Sequence, residues 1–267
     1  MANVQLLPWI WAASGIAAVT GLSFVIPLSL AGFVAAVAYL LVSSLLVALG
    51  LGRRGMTRLG AANAATATRS TLVGVVVSLV VTSFTHPVPV PLLVALSVAA
   101  LLLDAVDGWL ARRFRVESEL GARFDMEVDA FLMLVLCVFD ARIVGWWVLA
   151  IGLMRYAFVA VGWVVPWMRG QLPPRYWRKV VTAVSGIALA YAATGWIPVA
   201  GAIAVGAALL LLIESFGRDV IWLFRRRHPA AATQSVLSKR MTTAARASSE
   251  TRDVPPLRGA SVMNQEI

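Results

Sequence analysis

The sequence predicts an all-α protein, a polytopic membrane helix bundle with about eight transmembrane helices. Hydrophobic residues make up 60% of the 267-residue chain, charged residues make up only 13%, and the mean hydropathy is +0.83. Soluble domains carry about 25% charged residues, so this composition indicates a membrane protein. The apolar residues are also gathered in stretches close to the roughly 20 residues that a helix needs to cross a bilayer.

Eight apolar stretches follow one another along the chain. They cover residues 7–28, 30–51, 70–85, 90–110, 124–141, 143–167, 180–196 and 198–223. The first stretch lacks a basic start and is followed at once by another, so we interpret it as a true helix and not as a signal peptide. Residues 1–52 then form two additional N-terminal transmembrane helices ahead of a six-helix core at residues 70–225.

Two segments lie outside these helices. Residues 53–69 have the pattern of an amphipathic connector at the membrane surface. Residues 226–267 form a basic tail that is rich in Ala, Ser, Thr and Arg and has no apolar period. Such a composition predicts disorder, because too little apolar surface is available to offset the entropy of folding.

Basic residues are concentrated in alternate connections between the stretches. The basic connections fall within residues 53–69, 112–123, 169–179 and 225–227, and the intervening ones are nearly free of charge. By the positive-inside rule the basic set is cytoplasmic, which places both termini inside a multi-pass protein of the cell (inner) membrane. The net charge of +10 follows this topology. We therefore expect no nucleic-acid binding, and an attraction to anionic membrane lipids.

Four aspartates interrupt the fourth and fifth stretches. They are Asp104, Asp107, Asp125 and Asp129. Acids close to hydrocarbon are costly and mark candidate functional sites, whereas solvated loop acids do not belong inside apolar segments. Helical spacing gives each pair a common face, and the short polar link at residues 113–120 predicts antiparallel neighbours whose acids face each other. Oxygen ligands of this kind suit Mg²⁺ or Mn²⁺, with substrate phosphates completing the coordination shell.

Two glycines accompany the acids. Gly108 follows Asp107, and Gly121 lies one turn before Asp125. Each removes a side chain, so a flat ligand such as a nucleobase could approach the backbone there. The pattern therefore indicates a divalent metal and a phosphate-bearing substrate.

This run of residues resembles the signature of the CDP-alcohol phosphotransferase family, D-x2-D-G-x2-A-R-x8-G-x3-D-x3-D. Every fixed position is present, at Asp104, Asp107, Gly108, Ala111, Arg112, Gly121, Asp125 and Asp129. A second segment, from Asn63 to Arg69, reads N-x2-T-x2-R at the start of an apolar helix, as it does in many members. The surrounding hydropathy extends the resemblance to roughly residues 60–225.

The resemblance implies an integral membrane enzyme of phospholipid synthesis. Such enzymes transfer a substituted phosphate from a CDP-linked donor, usually CDP-diacylglycerol, to a small alcohol and release CMP. The six-helix core would then be the catalytic domain. Homodimers are common in the family, so a homodimer is a further expectation.

The resemblance also implies roles for the motif residues. Asp104, Asp107 and Asp125 would bind a pair of Mg²⁺ or Mn²⁺ ions. Asp129 would be the general base for the acceptor hydroxyl, and a metal ligand as well. The remaining motif residues would bind the donor. The small residues would bound the cytidine; they are Gly108, Ala111 and Gly121. The polar residues would contact the phosphates; they are Arg112 and Thr66.

Basic residues in the second half of the chain suggest an acceptor pocket. Arg155 lies near the middle of the sixth stretch, Lys179 opens the seventh, and Glu214 and Arg218 form an i, i+4 pair in the last. These three cations would suit an anionic acceptor, which favours a phosphorylated polyol such as glycerol 3-phosphate or an inositol phosphate. A neutral polyol, serine and phosphatidylglycerol stay open. The alternative is structural: Arg155 pairs with Glu214, and Lys179 only follows the positive-inside rule.

One position departs from the family pattern. Residues 126–128 read Met-Glu-Val, where members with well-known acceptors more often have small residues or proline. Helical spacing turns Glu127 away from the neighbouring aspartates and places it within reach of Arg123. The departure bears on the acceptor and not on the reaction class.

A second function class is a membrane transporter, or a non-catalytic membrane protein with a metal- or nucleotide-binding site. Helices with internal charges would permit it. It does not account for two glycines and an Ala-Arg pair at the spacings of the enzyme family.

Overall fold

The computed structural model describes residues 6–54, 61–114, 119–170 and 176–226. For some helical residues it describes the backbone alone; these are residues 53–54, 61–67, 107–114, 119–120, 122–123 and 169. Within this part of the chain all regular structure is helical and no strand occurs. The predicted all-α membrane helix bundle is therefore confirmed.

Eight α-helices succeed one another in the described ranges. They are α1 (Leu7–Ser23), α2 (Leu30–Arg54), α3 (Ala61–Thr82), α4 (Val90–Phe114), α5 (Glu119–Asp140), α6 (Leu149–Val164), α7 (Tyr176–Ala193) and α8 (Pro198–Arg226). Each predicted apolar stretch corresponds to one of them. The predicted tail falls, apart from Arg226, outside the described residues.

Two helix boundaries differ from the sequence-based expectation. Helix α3 begins at Ala61, so residues 61–69 of the expected surface connector extend the helix that carries Arg69. Helix α6 begins only at Leu149, after a turn and a short 3₁₀ helix. Gly145 in that turn has a φ of 118°, a conformation that residues with a side chain rarely adopt.

Helix α3 lies at the centre of the first five helices. It packs against α1, α2, α4 and α5. Four of its own valine and leucine side chains, on several of its faces, are almost completely buried: Val73, Val76, Leu79 and Val80. Helices α4 and α5 are adjacent in sequence, but each makes more of its contacts with α3 than with the other. A residue near the start of α3 is therefore placed to contact both.

Small residues allow the helices to approach closely. A Cβ atom on Gly32 of α2 would lie 2.6 Å from the Ser78 carbonyl oxygen of α3. A Cβ atom on Gly152 of α6 would lie 2.6 Å from Leu134 Cα of α5. Both contacts are closer than a real Cβ tolerates, so a side chain at either position would force the helices apart.

The outer surface of the bundle is apolar. Large hydrophobic side chains are exposed on α2, α6 and α8, which suits contact with lipid. Three segments are long and apolar enough to cross a membrane by length and composition: Leu30–Gly52, Trp146–Val164 and Pro198–Arg226. Shorter apolar segments occur in α1, α3 and α4. That the remaining helices also cross the membrane stays a prediction.

Candidate functional site

Three of the four motif aspartates meet at one end of the bundle. Asp104 comes from the second half of α4, and Asp125 and Asp129 come from successive turns of α5. One carboxylate oxygen from each residue lies within 4.8 Å of the others. The i, i+4 spacing gives Asp125 and Asp129 a common face, as predicted, and Asp104 approaches that face from α4.

Arg69 of α3 joins these acids. Its side chain is 0% exposed, and its Nη1 atom pairs with Oδ1 of Asp104. Its Nη2 atom lies 2.5 Å from Asp125 Oδ1 and donates to the Asp125 carbonyl oxygen at 3.0 Å. The same atom is 3.3 Å from Asp129 Oδ1, an ion pair without hydrogen-bond alignment. One guanidinium thus connects two helices through three carboxylates.

The acids have the composition and position of a divalent metal site. Their side chains keep 35%, 31% and 24% exposure for Asp104, Asp125 and Asp129, although Arg69 behind them is fully buried. The donors are all carboxylate oxygens, which Mg²⁺ and Mn²⁺ prefer. Their mutual spacing allows a single ion to contact all three. The described residues therefore fit a divalent cation with room for ligand oxygens on the open side.

The other motif residues continue the same two helices. Asp107, Gly108, Ala111 and Arg112 lie on the last turns of α4, after Asp104. Thr66 lies on the first turns of α3, before Arg69. The side chains of this group are outside the described part, so their predicted contacts remain predictions. Gly121 lies on the first turn of α5, one turn before Asp125.

Arg155 and Glu127 form an ion pair between α5 and α6. Glu127 is not among the carboxylates that contact Arg69 in the described residues. Its expected partner Arg123 has a side chain outside the described residues, but Glu127 has a partner of its own in Arg155. Arg155 also interacts electrostatically with Asp129. The pair therefore lies beside the acid cluster.

The predicted structural pairing of Arg155 with Glu214 is wrong. Glu214 pairs with Arg218 one turn along α8, and Trp177 Nε1 donates to it at 3.1 Å. The i, i+4 spacing lets Glu214 pair with Arg218 within α8. Arg155 pairs instead with Glu127 of the neighbouring helix α5. Arg218 is 64% exposed and Lys179 is also exposed. Of the three predicted acceptor cations, Arg155 pairs with Glu127, which lies between two motif aspartates, whereas Arg218 pairs with Glu214.

The N-terminal helices reach the site through α2. Ser70, the residue after Arg69, has its Oγ within hydrogen-bond distance of two hydroxyls, that of Tyr39 at 3.2 Å and that of Ser43 at 3.3 Å. The Tyr39 ring stacks on Phe131 of α5 with centroids 4.7 Å apart. Tyr39 therefore contacts both helices that supply the buried arginine and the α5 acids.

Sequence reasoning missed the roles of Arg69 and Tyr39. Arg69 stands at the end of the N-x2-T-x2-R segment, and that position was a usable signal for a charged partner of the acids. Tyr39 lies in an apolar stretch of α2 with no comparable pattern around it. Its proximity to the site depends on how α2 packs on α3, which helical periodicity does not reveal.

Comparison with known proteins adds one finding. The family model described as CDP-alcohol phosphatidyltransferase matches residues 59–213, which is more than half of the chain. The match begins just before α3 and includes Arg69, all four motif aspartates and Arg155. No curated protein and no solved structure matches the chain.

Proposed function

Because the chain belongs to the CDP-alcohol phosphatidyltransferase family, we propose that it transfers a phosphatidyl group from CDP-diacylglycerol to a small alcohol and releases CMP, in phospholipid biosynthesis. The family accounts for the reaction class, a transfer of a substituted phosphate group. The observation that carries the proposal is the meeting of Asp104, Asp125 and Asp129 at ligand spacing, on the helices that bear the family motif.

Asp104, Asp125 and Asp129, together with Asp107, would hold a pair of Mg²⁺ or Mn²⁺ ions. Such ions neutralise a pyrophosphate and stabilise the charge that develops on leaving CMP. The partial exposure of the three described acids leaves their open side accessible to the donor.

Asp129 is the proposed general base. Its carboxylate takes the proton of the acceptor hydroxyl, the alcohol oxygen forms a bond to the β-phosphorus of the donor, and the bond from that phosphorus to the bridging oxygen breaks. The electron pair leaves with CMP, and the phosphatidyl group stays on the acceptor. Asp129 suits the role because it lies one helical turn beyond Asp125, within reach of a hydroxyl beside a bound donor.

The donor site is proposed on the helix ends next to the acids. Gly108, Ala111 and Gly121 would bound the cytidine, because small side chains leave room for a flat base. Arg112 and Thr66 would contact the donor phosphates. Their positions on the last turns of α4 and the first turns of α3 support this, since both segments are close in sequence to residues of the acid cluster.

The acceptor site is proposed at Arg155. We favour a phosphorylated polyol, such as glycerol 3-phosphate or an inositol phosphate, because an arginine beside Asp129 can bind an acceptor phosphate near the base. Glu127 already neutralises Arg155, so the acceptor phosphate would have to compete with that carboxylate. Lys179, exposed on the first turn of α7, and Arg218, exposed in the second half of α8, would contribute at longer range.

The membrane orientation is part of the proposal. The basic connections, the termini and the acid cluster would all lie at the cytoplasmic face of the inner membrane. Contacts between the start of α3 and the later parts of α4 and α2 support a common end for these groups. Anionic headgroups would attract the same surface.

The proposal is tested with the purified full-length protein in detergent. CMP release is measured from CDP-diacylglycerol with Mg²⁺ or Mn²⁺ and a panel of acceptors: glycerol 3-phosphate, inositol phosphate, a neutral polyol, serine and phosphatidylglycerol. We expect acceptor-dependent CMP release, fastest with a phosphorylated polyol. Preference for a neutral acceptor would contradict the acceptor assignment alone, whereas absence of release with every acceptor would contradict the donor and reaction assignments.

A further inference from the structure

Arg69 is the largest side chain that is fully buried in the described part of the protein. An arginine at this depth is costly unless several acceptors surround its guanidinium. Here Asp104, Asp125 and Asp129 supply them, and the Asp125 carbonyl oxygen supplies one more. Such a concentration of partners on one cation calls for an explanation beyond helix packing.

The contacts leave part of each acid available. Arg69 approaches all three carboxylates at their Oδ1 atoms, so a second oxygen remains on each for another ligand. The hydrogen bond from Nη2 to the Asp125 carbonyl, at 3.0 Å, also ties the guanidinium to the backbone of α5. Arg69 is therefore fixed behind the acids and does not use all of their donor atoms.

The charges explain why a fixed cation is needed. Three carboxylates with oxygens within 4.8 Å of one another repel strongly in a partly buried site. Without a bound cation, a positive side chain between them offsets this repulsion. The same positive charge opposes a divalent ion that binds to the remaining oxygens, because like charges at this distance repel.

We propose that Arg69 is a positioning residue, a built-in counter-cation that keeps the three acids at ligand spacing before a divalent ion binds and lowers their affinity for it. This inference rests on the proposed function, in which the acids bind Mg²⁺ or Mn²⁺. It gives Arg69 two opposed effects: it stabilises the metal-free protein and weakens metal binding. An arginine with a purely structural role would favour both folding and binding.

The test measures Mn²⁺ affinity and the melting temperature of the metal-free, full-length protein in detergent. Arg69→Gln removes the charge and should lower the Tm while tightening Mn²⁺ binding by at least about tenfold. Arg69→Lys keeps the charge but cannot reach three carboxylates, so it should lower the Tm with Mn²⁺ affinity near that of the unchanged protein.

A matched control is available at the other end of the bundle. Arg142 is exposed and donates to the Ser83 carbonyl oxygen at 2.5 Å and to Ser83 Oγ at 3.3 Å. Arg142→Gln should change the Tm and leave Mn²⁺ affinity unchanged. A tightening of Mn²⁺ binding in this variant would show that loss of any arginine has the effect, and would overturn the inference.

The outcomes separate this inference from the proposed function. Mn²⁺ binding by the unchanged protein with equal or weaker binding by folded Arg69→Gln overturns the inference alone. Absence of Mn²⁺ binding in both proteins overturns the proposed function and the inference together. If Arg69→Gln does not fold, Arg69→Gln with Asp104→Asn removes one charge of each sign and should restore folding. A double variant that also fails to fold shows that Arg69 acts by other means than balancing the acids, and overturns the inference.

Discussion

The first half of helix α5, the motif end with Asp125 and Asp129, and its last turn, the far end with Asp140, hold their acids in different surroundings. At one end Asp125 and Asp129 share the counter-cation Arg69 and keep 31% and 24% exposure. At the other end Asp140 is 0% exposed, and neither of its carboxylate oxygens has a hydrogen-bond partner among the described residues. The nearby Arg142 donates to Ser83 and not to Asp140.

The comparison separates a buried acid from an acid that can bind a ligand. Burial alone leaves Asp140 with a desolvation cost that no hydrogen-bond partner among the described residues offsets. The motif end combines several acids at ligand spacing with a fixed cation and an open side. Only the second arrangement offers carboxylate oxygens to a further cation while Arg69 stays in place, which the proposed metal-dependent transferase site requires.

Among single substitutions in the motif end, Asp129→Asn is expected to have the largest effect on the transfer rate. An amide cannot accept the hydroxyl proton, so the transfer rate should fall by about 10²–10⁴-fold. The other metal-binding acids remain, so donor affinity should change little. Turnover and CDP-diacylglycerol binding are measured on the same preparation. Near-normal turnover would refute the base assignment, and a large loss of donor affinity would show that the loss of Asp129 as a metal ligand, and not as a base, accounts for the effect.

The spacing of the acids was predictable because it is local. Helical periodicity alone places Asp125 and Asp129 on one face, and it also predicts the Glu214–Arg218 pair, which the structure confirms. The meeting of Asp104 with the α5 acids followed from a short connection between two helices. That connection did not reveal that α3 contacts both helices more extensively than they contact each other.

Partners from distant helices were not predictable in the same way. The structural alternative for Arg155 was a pair with Glu214, but Glu214 pairs with Arg218 within α8 and Arg155 pairs with Glu127 of α5. That choice depends on the close approach of α5 and α6 at Gly152, which is a property of packing. The start of α3 at Ala61 agrees with the N-x2-T-x2-R segment, which predicts the start of an apolar helix there, whereas the interpretation of residues 53–69 as a surface connector separated that segment from the helix.

A smaller effect, confined to the acceptor KM, is expected for substitution of Arg155 beside the motif end. Arg155→Gln should raise the acceptor KM by roughly tenfold and leave the donor KM nearly unchanged, because it removes a charge-assisted contact to the acceptor phosphate. Glu127→Gln is the matched control, since it frees Arg155 from its carboxylate partner. It should lower the acceptor KM. Parallel changes of both KM values in Arg155→Gln, with a fall in Tm, would indicate a structural role only.

The smallest effect on stability and turnover is expected for substitution of Asp140 at the far end of α5. Asp140→Asn replaces an unpaired buried carboxylate with a neutral group of similar shape, so it should raise the free energy of unfolding by about 1 kcal/mol or leave it unchanged. Turnover should equal that of the unchanged protein. Thermal denaturation and CMP release are measured together. A marked loss of either would show that Asp140 has a partner that the contacts within the described residues do not include.

The central claim is tested most directly by CMP release from CDP-diacylglycerol as a function of Mg²⁺ or Mn²⁺ concentration, for the unchanged protein, Asp125→Asn and Asp140→Asn. Loss of one metal ligand should lower turnover by roughly 10²-fold or more, by analogy with the loss of other groups that stabilise transition-state charge. We therefore expect release that requires the metal, is nearly abolished in Asp125→Asn and is unchanged in Asp140→Asn. Release that persists after chelation, or equal turnover in Asp125→Asn and the unchanged protein, would contradict a metal-dependent transferase site at the motif end of α5.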